Sequence, residues 1–362
     1  MMEKFLPEVC KIQYGYAFDS AKFSSNEGVP LIRIRDVVRG FSETYTTEKC
    51  DNEYIVQNGD LLIGMDGEFN IGCWKGGKAY LNQRVCRLVP NDEIDELYLF
   101  YYMPKALKKI EDKTPFVTVK HLSAKELNKI IVPTPPIEEQ KRIAKTLDKV
   151  CGLIYYRKEQ ISKLDELVKA RFIEMFGDPN TNTMGWEKEQ LQVNATLLNG
   201  RAYKQDELLD DGKYPVLRVG NFFSNRGWYY SNLELEEDKY CDHGDLLYAW
   251  SASFGPKIWD GSKVIYHYHI WKVLVGEKYN KQFLCNLLDY ATSSFMGDTH
   301  GIGMMHLTKS GMEQTEFIVP PMELQEQFAT FVEQIDKSKF EVQQSLEKLE
   351  TLKKSLLQKY FG

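Results

Sequence analysis

Residues 135–140 have the sequence PPIEEQ and residues 320–325 have the sequence PPMELQ, so one motif stands at two places 185 residues apart. In each copy the Pro-Pro pair favours an extended entry, and an acidic residue then falls in the first turn of the helix expected to follow. Behind each copy, apolar residues recur at alternating spacings of four and three, which is typical of a coiled coil. The sequence therefore predicts two long helices that begin with the same motif.

The apolar positions of the two helices form matching seams. An amphipathic helix lying on a domain face is the alternative, but the narrow stripe and its length favour two helices that pair with each other. About 40 residues at about 1.5 Å each would give a rod about 60 Å long. The predicted seam consists of Ile143, Leu147, Val150, Ile154, Ile161 and Leu164 in the first helix and Phe328, Val332, Ile335, Val342, Leu346 and Leu349 in the second.

The regions outside the helices are duplicated with the same offset. A repeat of this length exceeds the roughly 20–50 residues of a solenoid unit. Two equivalent modules in one polypeptide behave like a covalent dimer, which predicts a two-part ligand. The matching segments are PLIRI at 30–34 and PVLRV at 215–219, GDLL at 59–62 and 244–247, HLS at 121–123 and HLT at 306–308, and FG at 176–177 and 361–362.

We therefore predict an α+β fold with two mostly-β domains, each followed by a long helix. The expected segments are residues 1–134, 135–177, 178–319 and 320–362. If the helices pair as an antiparallel coiled coil, pseudo-two-fold symmetry relates the halves. Gly177, followed by Asp178-Pro179, should end the first helix. Short apolar runs predict strands at 29–38, 59–64, 78–89, 214–219, 244–250 and 263–275, and helices are expected at 95–110 and 281–295.

Charge and cysteine usage limit the class of protein. The net charge is −6, from 46 Lys and Arg against 52 Asp and Glu, which by itself does not favour nucleic acid. It does not exclude DNA either, because base recognition needs a local basic strip rather than a basic protein. The seven scattered cysteines include no CxxC pair and suggest reduced thiols. No run of 18 apolar residues and no signal peptide is recognisable, so we expect a cytoplasmic protein without membrane contact.

The order of motifs resembles the target-recognition module of the specificity (S) subunit of type I restriction–modification systems, twice over. FGDP at 176–179 also resembles that family's junction after the central helix. The second copy departs from the first where Asn82-Gln83 becomes His267-Tyr268. The motifs that carry the resemblance are Gly15, 30–35, 58–63, 81–85, 120–123 and 131–140 in the first half, and Gly200, 215–220, 243–247, 266–270, 306–309 and 318–325 in the second.

The resemblance implies a DNA-binding subunit without catalytic residues of its own. Each globular domain would recognise one half of a bipartite, asymmetric double-stranded DNA site. The paired helices would set the spacing, and with the adjoining surfaces they would recruit two methyltransferase (M) subunits and then restriction (R) subunits. S-adenosylmethionine and ATP with Mg²⁺ would be bound by those partners, and this chain would need no cofactor.

Candidate DNA contacts follow from residue type and position. Arginine pairs with guanine and asparagine with adenine in the major groove, whereas lysine suits phosphates. Arg33 and Arg218 match across halves that should recognise different bases, so they better suit structure or phosphate binding, and Arg35 is the better specificity candidate. The loops 66–70 and 251–255 differ in content at equivalent places, as unlike half-sites require. The candidates are Arg33, Arg35, Asp66, Asn70, Lys75, Arg84, Lys120, His121, Arg218, Asn221, Ser251, Ser253, Lys257, His306 and Lys309.

Several alternatives remain at this level. Ser123 and Thr308 would also explain the Leu-Ser/Thr motif as helix caps. Residues 72–78 have P-loop spacing, but Ala79 replaces the Ser/Thr that binds magnesium and a strand is expected to follow. His267 and His269 could bind a metal in a hydrolase, although aromatic packing is favoured and we expect no metal site. A symmetric coiled-coil adaptor that bridges two identical proteins is the other alternative to a DNA-binding subunit.

Overall fold

The computed structural model describes residues 2–114, 120–224, 227–297 and 308–362. The chain packs as two compact units, one formed by Met1–Lys158 with Ser345–Gly362 and the other by Glu159–Gln344. Each unit contains one globular domain together with part of each long helix. Among the described residues, no helix is both long enough and apolar enough to cross a membrane.

The first domain is built on three sheets. Their strand orders are β1-β11, β2-β10-β7-β8 and β3-β5-β4-β9-β6, and β4 pairs with β9 in parallel while the other pairs are antiparallel. The elements are β1 (Glu3–Phe5), α1 (Leu6–Val9), β2 (Cys10–Tyr14), β3 (Phe23–Ser24), β4 (Val29–Ile32), α2 (Ile34–Arg39), β5 (Tyr45–Thr46), β6 (Ile55–Val56), β7 (Leu61–Gly64), β8 (Asn70–Cys73), β9 (Ala79–Leu81), β10 (Val85–Pro90), α3 (Glu96–Lys113), α4 (Ala124–Leu127) and β11 (Ile131–Pro133).

The second domain repeats this topology, except that the counterpart of β3 is a single bridge between Leu209 and Tyr230. Its sheets are β12-β21, β13-β20-β17-β18 and β15-β14-β19-β16, and β14 pairs with β19 in parallel, as β4 does with β9. The duplication seen in the sequence is therefore a duplication of strand order. The elements are β12 (Lys188–Gln190), α6 (Leu191–Asn194), β13 (Ala195–Asn199), β14 (Tyr214–Leu217), α7 (Val219–Phe223), β15 (Tyr229–Ser231), β16 (Tyr240–Cys241), β17 (Leu246–Ser251), β18 (Ser253–Ile258), β19 (Val264–Tyr266), β20 (Ile270–Val275), α8 (Lys281–Gly297), α9 (Lys309–Gln314) and β21 (Glu316–Ile318).

A helix covers the four-stranded sheet in each domain. In the first domain, Tyr98, Leu99 and Leu107 of α3 are buried in one core with Ile63 and Leu88 of the sheet. In the second domain, Phe283, Leu284 and Leu287 of α8 are buried with residues of β17 and β20. Since burying one such side chain contributes about 1.5–3 kcal/mol, these helices anchor the sheets that carry the loops of interest. The helices predicted at 95–110 and 281–295 are confirmed.

The two long helices are α5 (Ile137–Phe176) and α10 (Met322–Phe361), each of 40 residues. In the first unit the beginning of α5 lies beside the end of α10, where Lys158 pairs with Glu350 at 3.2 Å. In the second unit the end of α5 lies beside the beginning of α10, where Lys339 contacts Asp165 at 2.6 Å. The antiparallel pairing is confirmed.

All twelve predicted seam residues are buried or half-buried. The outer turns also pack onto the domains, because Ile143 and Leu147 belong to the core of the first domain and Phe328 and Val332 to that of the second. The pairing of the helices and the covering of a domain face thus occur along the same stripe. Gly177 ends α5 in the left-handed region, at φ 74°.

The strand predicted over residues 29–38 is wrong in its second half. Strand β4 ends at Ile32, and helix α2 follows because the Asp36 carboxylate accepts a hydrogen bond of 2.9 Å from the backbone N–H of Arg33. Arg33 therefore caps a helix and Arg35 lies in its first turn, so neither ends a strand. Arg218 likewise precedes α7, since β14 stops at Leu217.

Three other sequence predictions need correction. The runs 78–89 and 263–275 are each divided by a turn into two strands that belong to different sheets. The loop expected at 251–255 is largely strand, because Ser251 and Ser253 face each other across a hairpin. Ala252, at φ 64°, takes the left-handed conformation that closes this tight turn.

Candidate nucleic-acid interface

The turn between β9 and β10 in the first domain has the same backbone as the turn between β19 and β20 in the second. In the first domain the N–H of Val85 donates to the carbonyl of Asn82 at 2.8 Å, and in the second Ile270 donates to His267 at 2.9 Å. A Cβ on Gly15 would lie 2.1 Å from the Asn82 carbonyl oxygen, so only glycine lets the neighbouring chain pass. The shared frame presents residues 82–84 in one domain and 267–269 in the other.

In the first domain this turn carries an ionic cluster of Asp66, Arg84 and His121, here called the Asp66 cluster. The Asp66 carboxylate contacts Nδ1 of His121 at 2.6 Å and Nη1 of Arg84 at 3.2 Å. The Asp66 side chain is 18% exposed, whereas those of Arg84 and His121 are 54% and 51% exposed. A shielded carboxylate thus positions two groups that face solvent.

The backbone around Asp66 is fixed from both sides. The N–H of Met65 donates to the Arg84 carbonyl at 3.0 Å, and the N–H of Leu122 donates to the Met65 carbonyl at 2.7 Å. Asp66 and His121 also form an antiparallel bridge. Three separate segments of the chain therefore meet at Asp66, and three of the predicted DNA contacts lie together there.

In the second domain the same turn carries an aromatic cluster of Trp250, His267, Tyr268 and His269, here called the His267 cluster. The ring centroids of Tyr268 and His269 are 4.0 Å apart, and those of Trp250 and His269 are 5.1 Å apart. Burial, together with the nearby charges of His269 and Arg218, lowers the pKa of His267 to about 4. Burial also lowers the pKa of His269. At neutral pH the two imidazole rings of this cluster are therefore uncharged.

The other candidates of the first domain are dispersed. Arg35 donates from Nη2 to Thr44 Oγ1 at 3.1 Å and keeps a side chain that is 54% exposed. Asn70 begins β8 and donates to the Glu68 carbonyl at 3.1 Å. Lys75 is exposed. The Nζ of Lys120 donates to the Glu111 carbonyl at 2.8 Å and lies 3.8 Å from the Glu111 carboxylate.

Most candidates of the second domain have partners within the domain. The Arg218 guanidinium lies 4.8 Å from the centre of the Tyr229 ring, and Asn221 donates to the Gly227 carbonyl at 3.2 Å. Lys257 pairs with Asp260 at 3.1 Å, and Lys309 pairs with Glu313 at 3.5 Å. Ser251 and Ser253 stand at the hairpin tip. His306 lies outside the described residues.

The structure also decides two alternatives. Ser123 and Thr308 do cap helices, since their side chains accept from the N–H groups of Glu126 and Gly311. The P-loop interpretation of residues 72–78 fails because strand β9 follows, where a P-loop requires a helix. Within the described residues, no group of three or more His, Cys, Asp or Glu side chains could hold a metal ion.

Sequence reasoning missed a pair of buried glutamines at the start of the long helices. Gln140 is fully buried, accepts from the Asp95 N–H at 2.9 Å and donates to the Pro135 carbonyl at 2.8 Å. Gln325 accepts from the Asn280 N–H at 2.8 Å and donates to Pro320 at 2.8 Å. The available signal was the glutamine that closes both copies of the opening motif. It fixes each helix to its own domain.

The repeated unit of this chain matches a model of a known protein family. A family model described as "Type I restriction modification DNA specificity domain" matches residues 1–166 and again residues 184–353. The chain belongs to this family. The two matched stretches each cover one domain and the greater part of the following helix, so the family unit coincides with the repeat. Relatives of the chain in this family are named specificity subunits. These names support the prediction that the chain is not catalytic.

Two curated relatives and one solved structure illustrate the likeness. The type I restriction enzyme EcoBI specificity subunit of Escherichia coli is 39% identical over 166 residues, 45% of this chain and 35% of that one. The MjaVIII specificity subunit of Methanocaldococcus jannaschii is 24% identical over 91% of this chain and 87% of that one. The type I restriction–modification S subunit of M. genitalium has the same fold, with a TM-score of 0.63, 14% identity and coverage of 100% and 96%.

Proposed function

We propose that the chain is the DNA sequence-specificity subunit of a type I restriction–modification complex. Each domain would recognise one half of a bipartite, asymmetric site in double-stranded DNA. The observation that carries this proposal is that the two domains share the backbone of one turn but differ in its side chains. The turn carries the ionic Asp66 cluster in the first domain and the aromatic His267 cluster in the second. Two unlike half-sites require this combination, whereas an adaptor that bridges two identical proteins would keep equivalent surfaces alike.

The long helices would set the distance between the half-sites. Their antiparallel pairing and the buried Gln140 and Gln325 favour a rigid link between each domain and its helix. The helices and adjoining surfaces would also recruit two methyltransferase subunits and then restriction subunits. S-adenosylmethionine and ATP with Mg²⁺ would be bound by those partners, since the proposed role needs no catalytic group in this chain.

Methylome sequencing of the host with and without the gene tests the proposal. We expect deletion to erase one methylated motif made of two specified parts separated by a fixed gap. A continuous palindromic motif would contradict two unlike recognition domains. An unchanged methylome in a host whose methyltransferase subunits are expressed would favour the adaptor.

The spacing role has a separate test. Insertion of one heptad into α5 and one at the equivalent level of α10 adds about 10.5 Å of paired helix, roughly three base pairs at 3.4 Å each. We expect a longer gap, or loss of methylation, with both half-sites unchanged. Insertion into α5 alone serves as the control, because it leaves the two seams mismatched. An active protein with an unchanged gap would contradict the spacing role.

A further inference from the structure

Given the proposed function, we infer that Arg84 recognises a guanine in the half-site bound by the first domain, with Asp66 as its positioning residue. The inference starts from which guanidinium nitrogens are occupied. Asp66 contacts Nη1 of Arg84 at 3.2 Å. Within the part of the chain that the structure describes, Nε and Nη2 have no hydrogen-bond partner, and they form the adjacent edge of the guanidinium plane.

That remaining edge matches one base better than the others. Nε–H and Nη2–H donate in parallel, and guanine presents two adjacent acceptors, O6 and N7, in the major groove. The Arg84 side chain is 54% exposed, so it can reach a ligand, and its carboxylate partner restricts the orientation of the plane. Arg84 is therefore presented in the geometry that bidentate guanine recognition requires.

A phosphate contact is the competing role for an exposed arginine, and the charges argue against it. Arg84 and Asp66 carry opposite charges at 3.2 Å, so the pair adds little net positive charge to the surface. Phosphate binding depends on net charge and the release of counterions. Exposed Lys75 and Lys78 suit phosphates better. The Asp66 cluster instead offers directed hydrogen bonds.

His121 extends the recognised surface. A carboxylate only accepts hydrogen bonds, so the contact of 2.6 Å with Asp66 places a proton on Nδ1 of His121. In the neutral ring Nε2 is then an acceptor, which suits an amino group of a neighbouring base. The equivalents of Asp66 and Arg84 in the second domain are Ser251 and His269, which provide no such guanidinium edge.

The test is methylation of duplex libraries by the assembled complex, with every base tried at each position of the motif. For wild-type protein we expect a guanine, on either strand, at one position of the first half. Arg84→Gln should reduce discrimination at that position roughly 5- to 150-fold and leave the second half unchanged. Arg84→Lys should lose nearly as much, because a point charge does not replace the planar fork.

Asp66→Ser tests the positioning role with the residue found at the equivalent place of the second domain. We expect weaker discrimination at the same base, and Asp66→Ser combined with Arg84→Gln should be no worse there than Arg84→Gln alone. A merely structural role would instead impair all positions. Arg39→Gln is the matched control, since Arg39 is an exposed arginine of the same domain that pairs with Glu43 at 3.6 Å and is not one of the predicted DNA contacts.

Three results would overturn the inference. The first is a first half-site without guanine, and the second is an Arg84→Gln variant with an unchanged motif. The third is a uniform loss for all sequences with steep salt dependence, which would identify a phosphate contact. A wild-type complex without any split motif would instead refute the proposed function on which the inference rests.

Discussion

Residues 82–84 and 267–269 occupy the same turn in the two domains, yet they differ in every chemical respect. Asn82-Gln83-Arg84 projects a guanidinium 3.2 Å from the Asp66 carboxylate. His267-Tyr268-His269 forms a cluster of rings in tilted and edge-to-face contact, with the ring centroids of His267 and His269 4.7 Å apart. Burial keeps the pKa of His267 at about 4, so this imidazole is uncharged near neutral pH.

The interior of the two domains differs far less. Trp74 donates from its indole nitrogen to the Gly77 carbonyl at 2.7 Å, and Trp259 donates to Ser262 at 2.9 Å. Gln140 and Gln325 form equivalent buried networks. The contrast separates a frame that both domains share from a surface in which they differ. It indicates that surface residues can be exchanged between the halves, or with relatives, at little cost to folding.

Exchange of the whole first domain should have the largest effect. We expect that replacing residues 1–130 by the corresponding region of a relative changes one half of the recognised sequence completely. The other half and the spacing should stay as they were, because the exchange leaves the second domain and the sequences of α5 and α10 unchanged. Methylome sequencing of the exchanged strain provides the measurement.

The reciprocal exchange of residues 178–317 serves as the control and should change the other half alone. If either exchange alters both halves, the domains must recognise DNA jointly. The difference between the Asp66 and His267 clusters would then not assign one half-site to each domain.

The shared frame predicts equal losses from equivalent substitutions. Gln140→Leu would leave the Asp95 N–H and the Pro135 carbonyl without partners, at a cost on the order of 3 kcal/mol in the free energy of unfolding. Gln325→Leu should cost a similar amount, since Gln325 makes equivalent hydrogen bonds, accepting from the Asn280 N–H and donating to the carbonyls of Lys278 and Pro320. Urea unfolding measures both, and Gln334→Leu, an exposed glutamine on α10, is the control.

Unequal losses would show that the two frames are not equivalent. A loss near zero for both variants would mean that water enters and satisfies the exposed groups. In that case the glutamines would not fix the helices to the domains.

The long helices and their seam were predictable because their periodicity is local and is repeated. The strand over residues 29–38 was not, because its end depends on one contact, the Asp36 carboxylate that accepts from the Arg33 N–H at 2.9 Å. Apolar Val37 is buried in a helix here, and a short apolar run does not distinguish a strand from a buried helix. Short elements are thus decided by single side chains.

The candidate site was predictable in composition but not in arrangement. Asp66, Arg84 and His121 were each chosen from the sequence, yet their meeting point depends on a bridge between segments 55 residues apart. Lys120, chosen on the same grounds as His121, turns toward Glu111 in the fold. Adjacent residues on an extended segment point in opposite directions, and only the tertiary contacts decide which one reaches the surface.

An ion pair that is present in both domains offers a smaller test of their shared frame. Arg87 contacts Asp60 at 3.0 Å, and Lys272 occupies the equivalent position, 2.7 Å from Asp245. Arg87 also donates from Nε to Gln13 at 3.1 Å. Arg87→Lys keeps the ion pair and loses the bonds to Gln13 and to the Glu53 carbonyl, so we expect a loss of roughly 1–2 kcal/mol in the free energy of unfolding.

Lys272→Arg is the matched control for that substitution. Urea unfolding should show little change, because the larger guanidinium group gains no additional hydrogen-bond partner. A loss for Lys272→Arg as large as that for Arg87→Lys would indicate that side-chain size, not the hydrogen bond to Gln13, governs this position.

The smallest expected effect concerns pH and the imidazole of His267 in the second domain. His267 has an ordinary pKa of 6.5, and burial lowers its pKa to about 4 in the folded chain. As pH falls from 6.5 toward 4, the unfolded chain binds a proton that the folded chain does not bind. The free energy of unfolding therefore declines between pH 6.5 and pH 4 and stays constant above pH 6.5 as far as this group is concerned. His267→Asn, which installs the residue found at position 82, should reduce that decline. For a half-exposed ring, solvent screening limits the difference to about 1 kcal/mol near pH 4.5. Thermal unfolding from pH 7.5 to pH 4 should therefore show melting temperatures that diverge by roughly 2–4 °C only below pH 6.5.

His243→Asn, which removes an exposed histidine, is the control and should follow the wild type. Parallel curves for wild type and His267→Asn would mean that the ring titrates as it does in the unfolded chain, and the two surfaces would then differ in shape rather than in charge.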